Sequence, residues 1–183
     1  MQHKRYDISI EDLRQLISYN PDTGILTWLP RPLRFCKCEH EQKRWNSRCA
    51  NKAVKATKNE SGYLRFKLFD VVYKAHRVCW AIYYGAWLNQ NSFIDHINND
   101  PSDNRISNLR VVTTAQNNMN QRKLKDKTSP LKGVFWSKRD MAWRSRLIHE
   151  GKTYELGLFS DEQMAHQSYC KLAKELRGEY FKA

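Results

Sequence analysis

Apolar residues recur along the chain with two different periods, and the switches between them mark out its elements. Leu13, Leu16 and Ile17 share a helical face behind Ser9, which with Asp12 three residues on is a helix-starting signal; NPDTG (20–24) stops that helix and GILTW follows as a strand. Residues 30–60 show neither period and read as a long, polar, basic surface loop that could lie against phosphates. GYLRFKLFDVVYKA (62–75) alternates as two short strands about Phe69-Asp70, and HRVCWAIYYGAW has the apolar density of a buried helix, with His76 at its start read as structural. Next come a short extended run at Ser92 to Asp95, a turn-rich loop at PSDNR and a second strand at NLRVV. Thr113 with Gln116 forms a capping-box signal for a helix through about Lys123, completing a β-β-α unit. After the polar stretch LKDKTSP, three strands (GVFWS, WRSRLIH, KTYELGLF) are separated by turns at KRDMA and EGK. They precede a helix capped by Ser160, with Ala165, Tyr169, Leu172, Ala173 and Leu176 on one face and a glycine at its end. The fold class is α+β.

Composition changes this picture in one respect. With 183 residues, 40% of them hydrophobic, the chain can bury a core, and its longest mostly apolar run, VCWAIYYGAWL, is short of the ~20 residues of a membrane span. The start, MQHKRYD, has no apolar signal core, so the expectation is a soluble, intracellular protein. The formal charge of +13 and the pI near 9.6 then point to a polyanionic partner, nucleic acid first. The five cysteines are irregularly spaced and suggest no disulfide framework. Cys36, Cys38 and Cys49 with His40 form an alternative zinc set, but a C-x-C pair lacks the usual two-to-four-residue gap.

The densest chemistry lies in FIDHINNDPSDNRISNLRVVTTAQNNMNQ (93–121). A β-β-α path returns Asn108 past the first strand and brings Asn117 at the helix start towards the same corner, so Asp95, His96, Asn108 and Asn117 can converge. A carboxylate and an amide oxygen are hard ligands suited to Mg²⁺ completed by waters and substrate phosphate oxygens. A neighbouring imidazole that is not a ligand can accept the proton of a water attacking phosphorus. Together these describe a hydrolytic phosphodiesterase site.

Asp95-His96, Asn108 twelve residues after that histidine, and Asn117 nine further on resemble the HNH (ββα-metal) nuclease motif in the variant whose last histidine is asparagine. The wider text from DLRQLISYNPDTGILTW through GYLRFKL, KAHRVCWAIYYG and IDHINNDPSDNRISNLR resembles phage homing-type HNH endonucleases over about residues 9–123. The resemblance implies His96 as general base, Asp95 and Asn117 as metal ligands, and Asn108 as the residue that shapes the histidine loop. It also implies one metal, and the missing histidine favours Mg²⁺ or Mn²⁺ over zinc. Residues 133–181 resemble the plant ethylene-response-factor (AP-two) DNA-binding domain in GV, WRSRL, LGLF and the helix that follows. That implies a three-stranded sheet packed on one helix, with Trp143, Ser145 and Leu147 facing the helix and Arg144 and Arg146 facing outward to double-stranded DNA. Residues 121–150 carry nine Lys or Arg against three acids, so Lys132, Trp136, Lys138 and Arg139 join the two arginines as the expected DNA contacts. The expected organisation is an HNH nuclease module at 1–123, a linker at 124–130 and the sheet module at 131–183. The expected activity is that of a site-selective endonuclease in a bacterial host's cytoplasm, with no membrane and no obligate protein partner. The rival reading is a DNA-binding regulator with a decayed nuclease unit, against which the four intact site residues argue.

Overall fold

In the computed structural model, residues 8–89, 92–114, 116 and 128–181 are described. Helix α1 (Ile10–Leu16) starts where Ser9 Oγ accepts from the Asp12 N–H at 3.0 Å, and it buries Ile10, Leu13 and Leu16. The chain then extends at once. Ile17–Asn20 (β1) pairs antiparallel with Ile25–Trp28 (β2), so NPDTG is a hairpin turn and not simply the stop of a helix. Asn20 Oδ1 accepts from the N–H groups of Asp22 and Thr23, which organises that turn.

The expected loop at 30–60 contains an eleven-residue helix, α2 (Glu39–Cys49). No α2 residue is buried, so no apolar period announced it. The helix is docked by Trp45, whose ring meets the edge of Trp28 at 5.4 Å and lies 4.0 Å from the Arg31 guanidinium. Asn46 Oδ1 accepts from the Arg31 N–H, and Gln42 Nε2 donates to the Arg31 carbonyl.

Thr57–Lys58 (β3), Leu64–Leu68 (β4) and Val71–Lys74 (β5) form an antiparallel sheet in chain order. Phe69 turns the β4–β5 hairpin at φ 52°, a left-handed conformation that costs a side-chain-bearing residue energy. Its ring is in contact with Phe35 and the Arg31 guanidinium. Helix α3 (Ala75–Tyr84) follows β5 directly, buries Ala75, His76, Val78, Cys79 and Ala81, and ends at Gly85 in the left-handed conformation. Arg14 of α1 donates two hydrogen bonds to the Ile82 carbonyl, tying α1 to the end of α3. Leu13, Leu16, Ile17, Leu26, Phe66, Leu68, Val78, Cys79, Ile94 and Leu109 gather into one core. The pair Ser92–His96 (β6) and Leu109–Thr113 (β7) rests on it. The expected helix through Lys123, apart from its start at Thr114 and Gln116, lies outside the described residues.

The chain divides into two compact units, Met1–Thr114 and Ala115–Ala183. In the second, Val134–Ser137 (β8), Ala142–His149 (β9) and Lys152–Phe159 (β10) form an antiparallel sheet ordered β10-β9-β8. Helix α4 (Glu162–Arg177) packs on it through Tyr169 and Ala173 against Leu147. Its cap is Asp161, whose carboxylate accepts from the Met164 N–H, rather than Ser160: the carboxylate one residue on reaches the free N–H groups of the first turn. Of the expected linker, 124–127 lie outside the described residues. Thr128 Oγ1 accepts from the Trp136 N–H, and Ser129 is buried. No helix among the described residues is long and apolar enough to cross a membrane.

Candidate active site

Strands β6 and β7 align Asp95 with Arg110 and His96 with Leu109. Because successive strand residues face opposite ways, the tandem Asp95-His96 sends its side chains to different sides of the ribbon. His96, like Ile94, turns inward and is 3% exposed. Asp95 pairs across the strands with Arg110, whose Nη2 and Nε donate to Asp95 Oδ2 at 2.8 and 3.0 Å. Tyr63 is the neighbour common to both: its ring lies 5.6 Å from that of His96, and its hydroxyl is pushed up in pKa by burial and then by the Asp95 carboxylate.

The His96 ring also meets His76 edge-on at 5.3 Å. Burial first, and then His96, Lys74 and Arg77, lower the pKa of His76 to about 3, so it stays neutral and adds no charge beside His96. His96 Nε2 lies 3.2 Å from Asn104 Oδ1. With that carboxamide oxygen as acceptor, Nε2 carries the ring proton and Nδ1 the lone pair.

Between the strands, the loop is ordered by side chains. Asn108, 6% exposed, donates from Nδ2 to the Asp103 carbonyl at 2.8 Å and accepts at Oδ1 from the Asn98 N–H at 2.9 Å. Asn98 in turn donates to Asp103 Oδ2 and accepts from the Asp100 N–H. Arg105 closes a two-pronged contact on Asp103, whose pKa falls to about 2 chiefly through that hydrogen bonding. Distant turns brace the same loop. Tyr19 donates its hydroxyl to the Asn104 carbonyl at 2.8 Å, and the Ile106 N–H donates to the Pro21 carbonyl at 3.0 Å. Gly24, at φ 73°, lies so close that an added Cβ would stand 2.7 Å from the Arg105 nitrogen.

The donor chemistry fits a hard cation. Asp95 offers carboxylate oxygen, and no group of three or more His, Cys, Asp or Glu able to hold a metal ion occurs among the described residues. The alternative set of Cys36, Cys38, Cys49 and His40 is therefore not assembled: Cys36 and Cys49 are half-buried, whereas Cys38 and His40 are exposed at the start of α2. Asn117, the second expected ligand, lies outside the described residues.

The HNH endonuclease family model matches residues 73–119, a span that contains Asp95, His96, Asn108 and Asn117. Protein 3.8 of Escherichia phage T7 is 33% identical over 89 residues, which cover 49% of this chain and 73% of that protein. Residues 73–119 belong to the HNH endonuclease family. An uncharacterized HNH endonuclease of Acanthamoeba polyphaga mimivirus is 30% identical over 105 residues, 57% of this chain and 54% of that relative. The solved structure of DNA binding and cleavage by the HNH homing endonuclease I-HmuI has 22% identity and a TM-score of 0.43, over 62% of this chain and 56% of that one.

Around the HNH residues expected from sequence stand three that were not, Arg110, Asn104 and Tyr63, together with His76, which the sequence presented as structural and which packs against His96. Only Arg110 left a signal, because pairing NLRVV against the first strand sets its charge opposite Asp95. The loop holds so many asparagines that none singled out Asn104, and Tyr63 and His76 arrive from the β3–β4 turn and from α3.

In the second unit, Ser145 and Leu147 are buried while Arg146 is exposed. Register places Arg144 opposite Phe135, whose ring lies 5.3 Å from the Arg146 guanidinium and 6.0 Å from that of Arg144. Trp136 pairs with Trp143 and points to the same side of β8 as buried Val134, away from these arginines. Lys138 and Arg139 are exposed in the β8–β9 turn. Lys132 lies in the loop before β8, its carbonyl 3.0 Å from His166 Nδ1. Arg144 also stands 3.7 Å from Glu155.

Proposed function

We propose that the chain is a site-selective DNA endonuclease of the HNH homing type, acting in the cytoplasm of a bacterial host. His96 Nδ1 takes the proton of a water that attacks a backbone phosphorus. The new P–O bond forms as the bond to the 3′ oxygen breaks, and that oxygen leaves and takes a proton from a solvent water to become a 3′ hydroxyl. Asp95 and Asn117 would hold one Mg²⁺ or Mn²⁺, which when bound supplies neutralising charge to the phosphate and the departing oxygen. Arg110 fixes the Asp95 carboxylate, and Asn104 fixes the His96 tautomer. The observation that carries the reading is Asn108, whose two hydrogen bonds knit Asn98 to Asp103 and so hold the turn next to His96 in one shape.

The second unit would choose where the cut falls, resembling the ethylene-response-factor domain in laying its sheet on the duplex. What supports this is Phe135, Arg144 and Arg146 on the sheet face away from the helix, with Lys132, Lys138 and Arg139 adding phosphate contacts. Trp136 is better suited to packing than to DNA.

Cleavage of the DNA flanking its own gene, assayed with Mg²⁺ and with chelator, tests the proposal. His96→Ala should lower cleavage about 10²-fold or more with DNA affinity retained, and Asp95→Ala should recover part of its loss at raised Mg²⁺. Full activity in His96→Ala would remove the general-base role.

A further inference from the structure

Helix α2 has two faces with different fates. Glu41, Gln42, Trp45, Asn46 and Cys49 are half-buried and dock the helix, whereas His40, Lys43, Arg44, Ser47 and Arg48 are exposed. The exposed set follows i, i+3, i+4, i+7, i+8, which is one stripe along a helix. Two acids border it: Glu39, whose carboxylate stands 3.7 Å from Lys43 Nζ in an exposed pair, and Glu41, half-buried, whose Oε2 accepts from the Lys37 N–H. Arg44 and Arg48, one turn apart, have no side-chain partner among the described residues. The flanking Lys37, Lys52, Lys55 and Lys58 are exposed as well, and residues 30–60 hold nine Lys or Arg against three acids.

An eleven-residue helix with no buried residue contributes little to the core; isolated helices of that length are marginal in water, and most protein helices are held by an apolar face. Here a single tryptophan and a few hydrogen bonds hold it, with cations of one sign left outward. From this stripe we infer that α2 is a second DNA-contacting surface, on the nuclease unit itself, whose Lys43, Arg44 and Arg48 bind the phosphates of duplex DNA. The inference rests on the nuclease reading for the choice of DNA as the polyanion. Its chemistry is charge neutralisation with counterion release, and it reads no base.

The full chain is tested for binding to a fluorescein-labelled DNA duplex by anisotropy, in chelator so that nothing is cut, over a series of KCl concentrations. Arg44→Gln with Arg48→Gln should reduce the slope of log K against log salt by about 1.8, at about 0.9 for each phosphate no longer neutralised. Arg44→Lys with Arg48→Lys should keep it, and both pairs should melt at the parent temperature because the positions are exposed. Lys171→Gln with Lys174→Gln, which removes the same charge from α4, should leave the slope in place. An unchanged slope in the α2 glutamine pair, or an equal fall in the α4 pair, would overturn the inference. So would tighter binding of an equal-length RNA duplex that the α2 pair abolishes. If the parent cuts no DNA with Mg²⁺ but the α2 pair still loses slope, the nuclease reading fails and the α2 surface stands. If the parent cuts and the slope does not move, the reverse holds.

Discussion

The loop that follows His96 and the sheet behind α4 are ordered by different forces. From Asn98 to Asn108 the chain is held by side-chain hydrogen bonds, with Asn108, Asn98 and Asp103 tying one another down and Tyr19, Pro21 and Gly24 pressing from another hairpin. The second unit relies on apolar interdigitation, with Leu147, Tyr169 and Ala173 meeting across one interface. Polar ordering fixes direction and tautomer, which a site needs, but each bond replaces one that water could make and adds little net stability. Apolar packing does the opposite.

The largest effect separates the two directly. Leu147→Ala should cost the second unit about 2–5 kcal/mol through reduced burial and the cavity left behind. Hydrogen exchange should then accelerate across β8–β10. Asn108→Ala should cost about 1–3 kcal/mol, because the Asn98 N–H and the Asp103 carbonyl are each left without a partner, yet it should reduce cleavage more than Leu147→Ala does. Equal effects on cleavage would erase the distinction.

Gly24 sharpens the comparison from a distance. Gly24→Ala places a Cβ against the Asn104–Arg105 backbone and strains a φ of 73°. It should cost about 1–3 kcal/mol and lower cleavage although no site residue is changed. Intact cleavage with lowered stability would mean that the brace does not position His96.

The smallest effect, taken per pH unit, is a pH dependence. His76 is neutral in the fold, with its pKa lowered to about 3, and titrates near 6.5 when unfolded. Below pH 6.5 the unfolded chain therefore binds a proton that the fold does not. Stability should fall as pH drops from 6.5 towards 3, by at most about 1.4 kcal/mol per pH unit. Urea midpoints measured across that window should flatten in His76→Phe. A slope identical to the parent's would assign the acid sensitivity elsewhere.

Much of the architecture was legible along the chain because it depends on local period. Alternation about Phe69-Asp70 foretold β4 and β5, and Ala165, Tyr169 and Ala173 foretold the face that α4 buries. Asp95, His96 and Asn108 stood out as residue types at a spacing. Helix α2 was invisible, since its docking is done by Trp45, Gln42 and Asn46 against Arg31 and Trp28 rather than by an apolar stripe.

By itself, then, the sequence determined the elements that bury one face, the basic balance and the identities of the reactive groups, since each is a property of a residue or of its near neighbours. Tertiary structure alone decided that Tyr63 and His76 stand against His96, that His76 stays neutral and that a hairpin near residue 20 braces a loop near residue 104. Those choices depend on distances between segments far apart in the chain and on the loss of water around them, and neither quantity exists until the chain has folded.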